Sequence, residues 1–251
     1  MAITVRTRAR QPEQKHARRE AILAAAFRLW KLRGFQQLTM NDLAAEAGLA
    51  KGTLYLYFVT KEELFLAMLE VRFVAWLRAV HEGLASTATD DLSSIAAIIA
   101  ETLEQEPDVL PLLLLQHPIL EHNVDAKSVI EFRRRILRPM MQVAQRLESK
   151  IPRLRGQGLQ TLLRVQAYMA GVQQHLSSPA PLLAAFDADP DLSIYRFNRR
   201  ATLADGVLAL LQYAGKPSST PSIVLSQATE ADVHVSKQPL VTTDAPWQRR
   251  F

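Results

Sequence analysis

TMNDLAAEAGLAKGTLYLYFVTK, residues 39–61, parses as two short helices joined by a tight turn, and the remainder of the chain is organised around it. Thr39 has an N-cap side chain, and Asp42 three residues on can return the hydrogen bond as in a capping box. Leu43, Ala44 and Ala47 make an apolar face at spacings of three and four. Gly48 supplies the left-handed residue that ends the first helix and reverses the chain, and Leu49 plugs the space between the two. The second helix, expected over 51–58, puts Leu54 and Phe58 on one face and Lys51, Thr53, Tyr55 and Tyr57 on the others. Two turns of helix do not hold together alone in water. The segment needs a brace for its apolar side and a use for its polar side. A helix-turn-helix, whose second helix lies in the DNA major groove, meets both needs.

Gly52 to Leu64, GTLYLYFVTKEEL, resembles the signature of the tetracycline-repressor (TetR) family of bacterial regulators. Upstream, AILAAAF at 21–27 followed by Gly34 and Phe35 is similar to that family's first helix and its exit. The resemblance covers about the first quarter of the chain. It implies an all-α protein: an N-terminal helix-turn-helix domain, a connecting helix, and a C-terminal helical domain for ligand binding and dimerisation. Lys51, Thr53, Tyr55 and Tyr57 match the family's recognition-helix positions, and Lys61 matches the basic residue after it. In that frame Lys51 and Thr53 reach base edges, Lys51 having its natural match at guanine O6 and N7. Gly52 lets the backbone approach the groove, and Tyr55 meets a thymine methyl or a phosphate. Tyr57, Lys61 and Thr39 are phosphate clamps, which set register without reading sequence. Some relatives carry a larger side chain where this chain has Gly52, so their base preference does not carry over.

Charge supports a polyanion partner. Residues 1–62 hold eleven Lys and Arg against five Asp and Glu, while the rest of the chain holds 19 against 20. A basic N-terminal quarter on a neutral body is the electrostatic footprint of a nucleic-acid-binding module. The chain has no cysteine, hence no disulfide framework and no thiolate metal site. Leu and Ala dominate and Gly is sparse, which favours helix over sheet. No signal peptide is visible at the basic start, and no uninterrupted apolar run approaches the ~20 residues of a membrane span. A soluble, cytoplasmic protein without a membrane partner is expected.

Along the chain, residues 1–12 with Arg6, Arg8 and Arg10 are expected as a disordered basic arm. A helix-turn-helix domain over 13–62 follows, its first helix running from about Glu13 to Arg33 with Ile22, Ala25, Ala26, Leu29 and Trp30 as the apolar stripe. Residues 63–85 form the connecting helix, capped by Thr60 with Glu63 at the third position. The ligand-binding and dimerisation domain spans 86–215. Residues 216–251, rich in Pro, Ser and Thr, are expected as a disordered tail.

Within the body, helices are expected near 91–105, 108–116, 125–150, 158–176 and 192–214, with a loop at 177–191. In the third of these, Val129, Phe132, Ile136, Met140, Val143 and Leu147 share one face at about 100° per residue, and Arg133 falls near its centre. A guanidinium in an apolar setting needs a partner. Three readings stay open: an ion pair with a Glu of the preceding helices, for instance Glu101 or Glu104, snorkelling to the rim, and an anionic head group of an otherwise apolar ligand. Pro139 predicts a kink that opens space beside Phe132, Ile136 and Met140, which with Arg133 are the candidate ligand-binding residues. The helices at 158–176 and 192–214 are apolar over wide arcs, which predicts that they face a second copy in a four-helix interface.

The function expected is a sequence-specific dimeric repressor released from an inverted-repeat operator by a small, largely apolar effector, anionic if Arg133 receives its head group. The alternative is a nonspecific architectural DNA-binding protein without an inducer, for which the body carries too little positive charge. No cofactor is expected. No catalytic constellation is visible, neither a Gly-rich phosphate loop nor an acid–base pair at telling spacing, so no enzyme is expected. His117, Glu121 and His122 are the nearest approach to a metal cluster, and imidazoles five apart do not share a helix face; no metal site is expected.

Overall fold

The computed structural model describes residues 4–88, 90–196 and 198–214, with side chains from residue 13 onward apart from Ser193. All regular structure among them is helical. The head comprises α1 (Thr4–Arg33), α2 (Met40–Glu46) and α3 (Lys51–Tyr55). Helix α4 (Lys61–Ser86) leaves the head and runs through the body. The body adds α5 (Leu92–Gln105), α6 (Val109–Leu115), a π-turn (Gln116–Leu120), α7 (Ala126–Lys150), a 3₁₀ turn (Pro152–Leu154), α8 (Gly158–Leu176), α9 (Ala180–Ala188), a second 3₁₀ turn (Pro190–Tyr195) and α10 (Arg199–Tyr213). None of the described helices is long and apolar enough to cross a membrane.

The head core is built from Ile22 and Leu29 of α1, Leu43 of α2, Leu54 of α3, and Leu38 and Phe58 of the turns between the helices, all buried. Phe65 of α4 closes it, meeting Phe35 edge-on at 4.9 Å and Trp30 at 6.0 Å. Burying a Leu or Phe side chain contributes about 1.5–3 kcal/mol, so this cluster is what keeps two helices of seven and five residues folded. Helix α4 carries the same core into the body through Phe73, Trp76, Val80 and Leu84. There α7 packs along α4, α8 lies against α7, and α10 lies against both α5 and α8.

Four expectations are corrected. First, α1 begins at Thr4, so residues 4–12 are helix, not an irregular arm; Ala and Arg there are good helix formers, and Pro12 removes only one donor. Second, α3 ends at Tyr55, short of Phe58. Leu56 and Tyr57 tighten into i→i+3 bonds to Thr53 and Leu54, which turns the chain toward the Thr60 cap. Third, residues 177–191 hold α9, because Pro181 falls in its first turn, where a missing N–H costs nothing. Fourth, α10 starts at Arg199, where Asn198 Oδ1 accepts from Ala201 N at 3.0 Å as the N-cap. Pro139 sits inside a continuous α7. The expected tail, 216–251, lies outside the described residues.

Candidate nucleic-acid interface

The turn between α1 and α3 is fixed by local chemistry. Gly34 and Gly48 have φ of 71° and 65°, the left-handed region in which a Cβ is strained. Asp42 N donates to Thr39 Oγ1 at 3.2 Å, and Thr39 N donates back to Asp42 Oδ2 at 2.9 Å, the reciprocal capping box. The Thr39 hydroxyl and backbone, then Arg33, hold the Asp42 carboxyl below the ordinary carboxylate range. Arg33 reaches Asp42 at 3.3 Å and Arg28 reaches Glu46 at 3.0 Å, so α2 is tied to α1 at both ends. The next cap is also double: Glu63 N donates to Thr60 Oγ1 at 3.1 Å, and Val59 N donates to Glu63 Oε2 at 2.7 Å.

On this frame α3 turns Leu54 wholly inward, at 0% exposure. Lys51, Gly52 and Tyr55 are exposed, Thr53 and Tyr57 half-buried. The Lys51 ammonium lies 5.9 Å from the Tyr55 ring centre, so the two form one polar-aromatic ridge. Thr39 is exposed, but its hydroxyl is already engaged in the capping box. Lys61 also has partners within the head. Its ammonium donates to the carbonyls of Leu38 at 3.1 Å and Phe35 at 3.4 Å, above the Phe35 ring at 4.3 Å. It ties α4 to the end of α1, with one of its three donors to spare. Thr39, Lys51, Gly52, Thr53, Tyr55, Tyr57 and Lys61 thus all belong to the head, with the exposed ridge centred on Lys51 and Tyr55.

Several residues that position the head escaped the sequence reading. Arg19 covers the Phe58 ring at 5.2 Å. Beside it a cleft of about 290 Å³ opens between head and body, lined by Arg19, Tyr57, Glu63, Glu70, Glu131 and Arg135 among others. Arg135 bridges to Glu70 at 2.8 Å across 65 residues of sequence, joining α7 to α4. On the other side Lys31 meets Asp108 at 3.2 Å, and Arg72 reaches the same carboxylate at 3.6 Å while lying over the Phe27 ring at 4.4 Å. Such pairs have no sequence signature, since the partners lie on different elements far apart in the chain. Leu56 and Val59, 78% and 69% exposed, are apolar groups left bare beside the reading helix; nothing in their spacing marks them.

In the body, Phe132, Ile136 and Met140 are core residues, 1%, 2% and 3% exposed. Arg133 is 37% exposed, and its partner is Glu121, at 2.7 Å, in place of Glu101 or Glu104. Those two glutamates face Arg200 of α10. The π-turn explains the exchange: it carries Glu121 round to α7. Burial pushes the Glu121 carboxyl up, but hydrogen bonds from Gln116 and Arg133 and the charges of Arg133 and His117 outweigh it, and its pKa is lowered.

Two family models match. The bacterial regulatory proteins, tetR family, model matches residues 22–68, and the tetracyclin repressor-like C-terminal domain model matches residues 70–212. A HTH-type transcriptional regulator of Bacillus subtilis, YfiR, is 34% identical over 99 residues, 36% of this chain and 48% of that protein. The HTH-type transcriptional repressor KstR2 of Mycolicibacterium smegmatis is 30% identical over 93 residues, 37% of this chain and 45% of that protein. The chain spans about half the length of these curated relatives. In fold it is similar to Thermus thermophilus FadR, a TetR-family repressor solved with lauroyl-CoA, with TM-score 0.50 and 19% identity over 81% of this chain and 98% of that one. With a braced reading helix at residues 51–55 and a repressor-like body matched over 70–212, this chain belongs to the tetracycline-repressor family of DNA-binding transcriptional regulators.

Proposed function

We propose that the chain is a cytoplasmic, dimeric repressor that binds an inverted-repeat operator and is released from it by a small, largely apolar effector. The carrying observation is the contrast on α3: Leu54 wholly buried, Lys51 and Tyr55 exposed beside it. The working division is a head over 13–62, a connecting helix over 63–85 and an effector-binding, dimerising body over 86–215. Lys51 and Thr53 read base edges with Gly52 giving close approach, Tyr55 touches a methyl or phosphate, and Tyr57, Thr39 and Lys61 set register. Lys61 does so chiefly by holding the head together.

Dimerisation runs through α8 and α10, whose outward sides leave Leu163 46% and Tyr213 74% exposed. A twofold pair puts two reading helices about 34 Å apart, one DNA turn. The effector site lies in the body beside Phe132, Arg133, Ile136 and Met140. Induction is linkage: a molecule that prefers a body shape with wrongly spaced heads weakens DNA binding, and DNA weakens its binding equally. The contacts Arg135–Glu70 and Lys31–Asp108 are the joints through which α7 and α6 move the head. Repression, as opposed to activation, follows the relative named as a repressor.

The test is to select bound sequences from random DNA with the full chain, then titrate the selected operator. A palindromic consensus is expected, competed poorly by unrelated DNA. Equal competition by any DNA would favour the architectural reading, and affinity indifferent to every molecule that binds the protein would remove the induction half.

A further inference from the structure

The body core holds a line of polar groups that neither packing nor DNA binding uses. Gln116, at the start of the π-turn, is 1% exposed, and Gln166 of α8 is 8% exposed. Gln116 Nε2 donates to Glu121 Oε1 at 2.8 Å, and Gln166 Nε2 donates to Gln116 Oε1 at 3.4 Å. Glu121 fixes every orientation in this line. A carboxylate only accepts, so Gln116 must turn its NH₂ toward it and its oxygen toward Gln166. Gln166 must then turn its own NH₂ toward Gln116, which leaves Gln166 Oε1 pointing away. No donor among the described residues reaches that buried oxygen. The ambiguity of amide ends is thus removed by the charge at the far end of the line.

We propose that Gln166 Oε1 is the polar anchor of the effector site, and that it takes an uncharged hydrogen-bond donor, a hydroxyl or amide N–H, on an otherwise apolar molecule. This rests on the reading of the protein as an effector-controlled regulator and narrows the effector's class. An anionic head group is disfavoured twice. The open group is itself an acceptor, and Arg133 is already neutralised by Glu121 through contacts of 2.7 and 3.0 Å. A cation is disfavoured because the Glu121 charge is already taken by Arg133, with Gln116 and His117 also bound to it. The π-turn supplies the means of response: one extra residue in the turn, closed by Glu121 N to Gln116 O at 2.8 Å, is a helical form often found at functional sites. A donor seated on Gln166 pulls on Gln116, and through it on the turn between α6 and α7.

The test uses the full-length dimer and a panel of primary amides of six to twelve carbons, straight-chain and cyclic, each with its matched carboxylate and amine. Melting temperature and release of the selected operator are read for each. The expected result is that at least one amide binds, tenfold or more tighter than its matched ions, and releases operator. Gln166→Leu should abolish that preference while the free variant binds operator as before; its own melting temperature does not decide the matter, because removing the unpaired acceptor is offset by leaving Gln116 Oε1 without its donor. Gln166→Met repeats the test with an unbranched chain should Leu pack badly. A carboxylate preferred over its amide, a panel with no binder, or an amide preference that survives in both variants (a bridging water only at Gln166) would overturn the proposal. Failure to select any operator would instead count against the regulator reading itself.

Discussion

Among the described side chains of residues 13–69 every buried one is apolar, whereas the body buries Thr102, Asp108, Gln116, Thr161 and Gln166. The head satisfies the polar groups of its helix caps within a few residues of sequence, as in Thr39 with Asp42 and Thr60 with Glu63. What remains polar on α3 faces solvent, where a ligand as large as DNA can meet it. The body does the reverse, joining Gln116 to Gln166 across 50 residues and Arg135 to Glu70 across 65. A head that meets DNA at its surface keeps a dry, rigid core. The body carries polar groups inside, at a cost in stability.

The largest effect expected is from breaking the head's dry core. Leu54→Ala should lose about 2–5 kcal/mol of head stability in denaturant melts and nearly all operator affinity. Unchanged operator binding would mean that α3 does not depend on its brace. Next is Lys61→Met, which removes charge-assisted bonds to two carbonyls, worth about 1.5–3 kcal/mol. It should weaken operator and unrelated DNA by the same factor, and a shift in base preference would assign Lys61 to readout instead.

A third comparison separates reading from positioning within one short helix. Lys51→Ala should relax preference at one base position by about 1–3 kcal/mol, measured by repeating the selection. Tyr57→Phe should leave the consensus intact and lower affinity evenly, with a shallower dependence on salt if its hydroxyl meets a phosphate. The smallest effect sharpens the account of the body. Because the folded Glu121 pKa is lowered, its contribution is complete above the ordinary Glu value and is lost as pH falls through the lowered one. Thermal melts of Glu121→Gln should therefore show less acid sensitivity in that range than the parent chain. An identical acid limb would mean that the Arg133 and Gln116 contacts do not form in solution.

Much of the head was legible before any coordinates. Thr39, Asp42, Gly48 and Thr60 act within four residues of themselves, so caps and reversals follow from spacing, and Leu43, Leu54 and Phe58 are buried as their periodicity demands. The polar face of α3 was legible for the same reason. The bracing contacts of Lys61 were not legible, because the carbonyls of Phe35 and Leu38 lie more than twenty residues away. In the body the stripe Phe132, Ile136, Met140 was visible as a face, and Arg133 as a cation needing a partner. Glu121 was not visible as that partner, since a π-turn around Pro118 leaves no period to read.

The sequence by itself determined that this is an all-helical chain with a helix-turn-helix head, because caps, glycine turns and apolar periods are local and act on the chain one turn at a time. Only the tertiary structure decided which charges join head to body, that Arg133 is already answered, and that Gln166 ends a line of amides with its oxygen free. Those outcomes depend on which helices come to lie side by side, and packing chooses among many surface partners that the chain order does not distinguish.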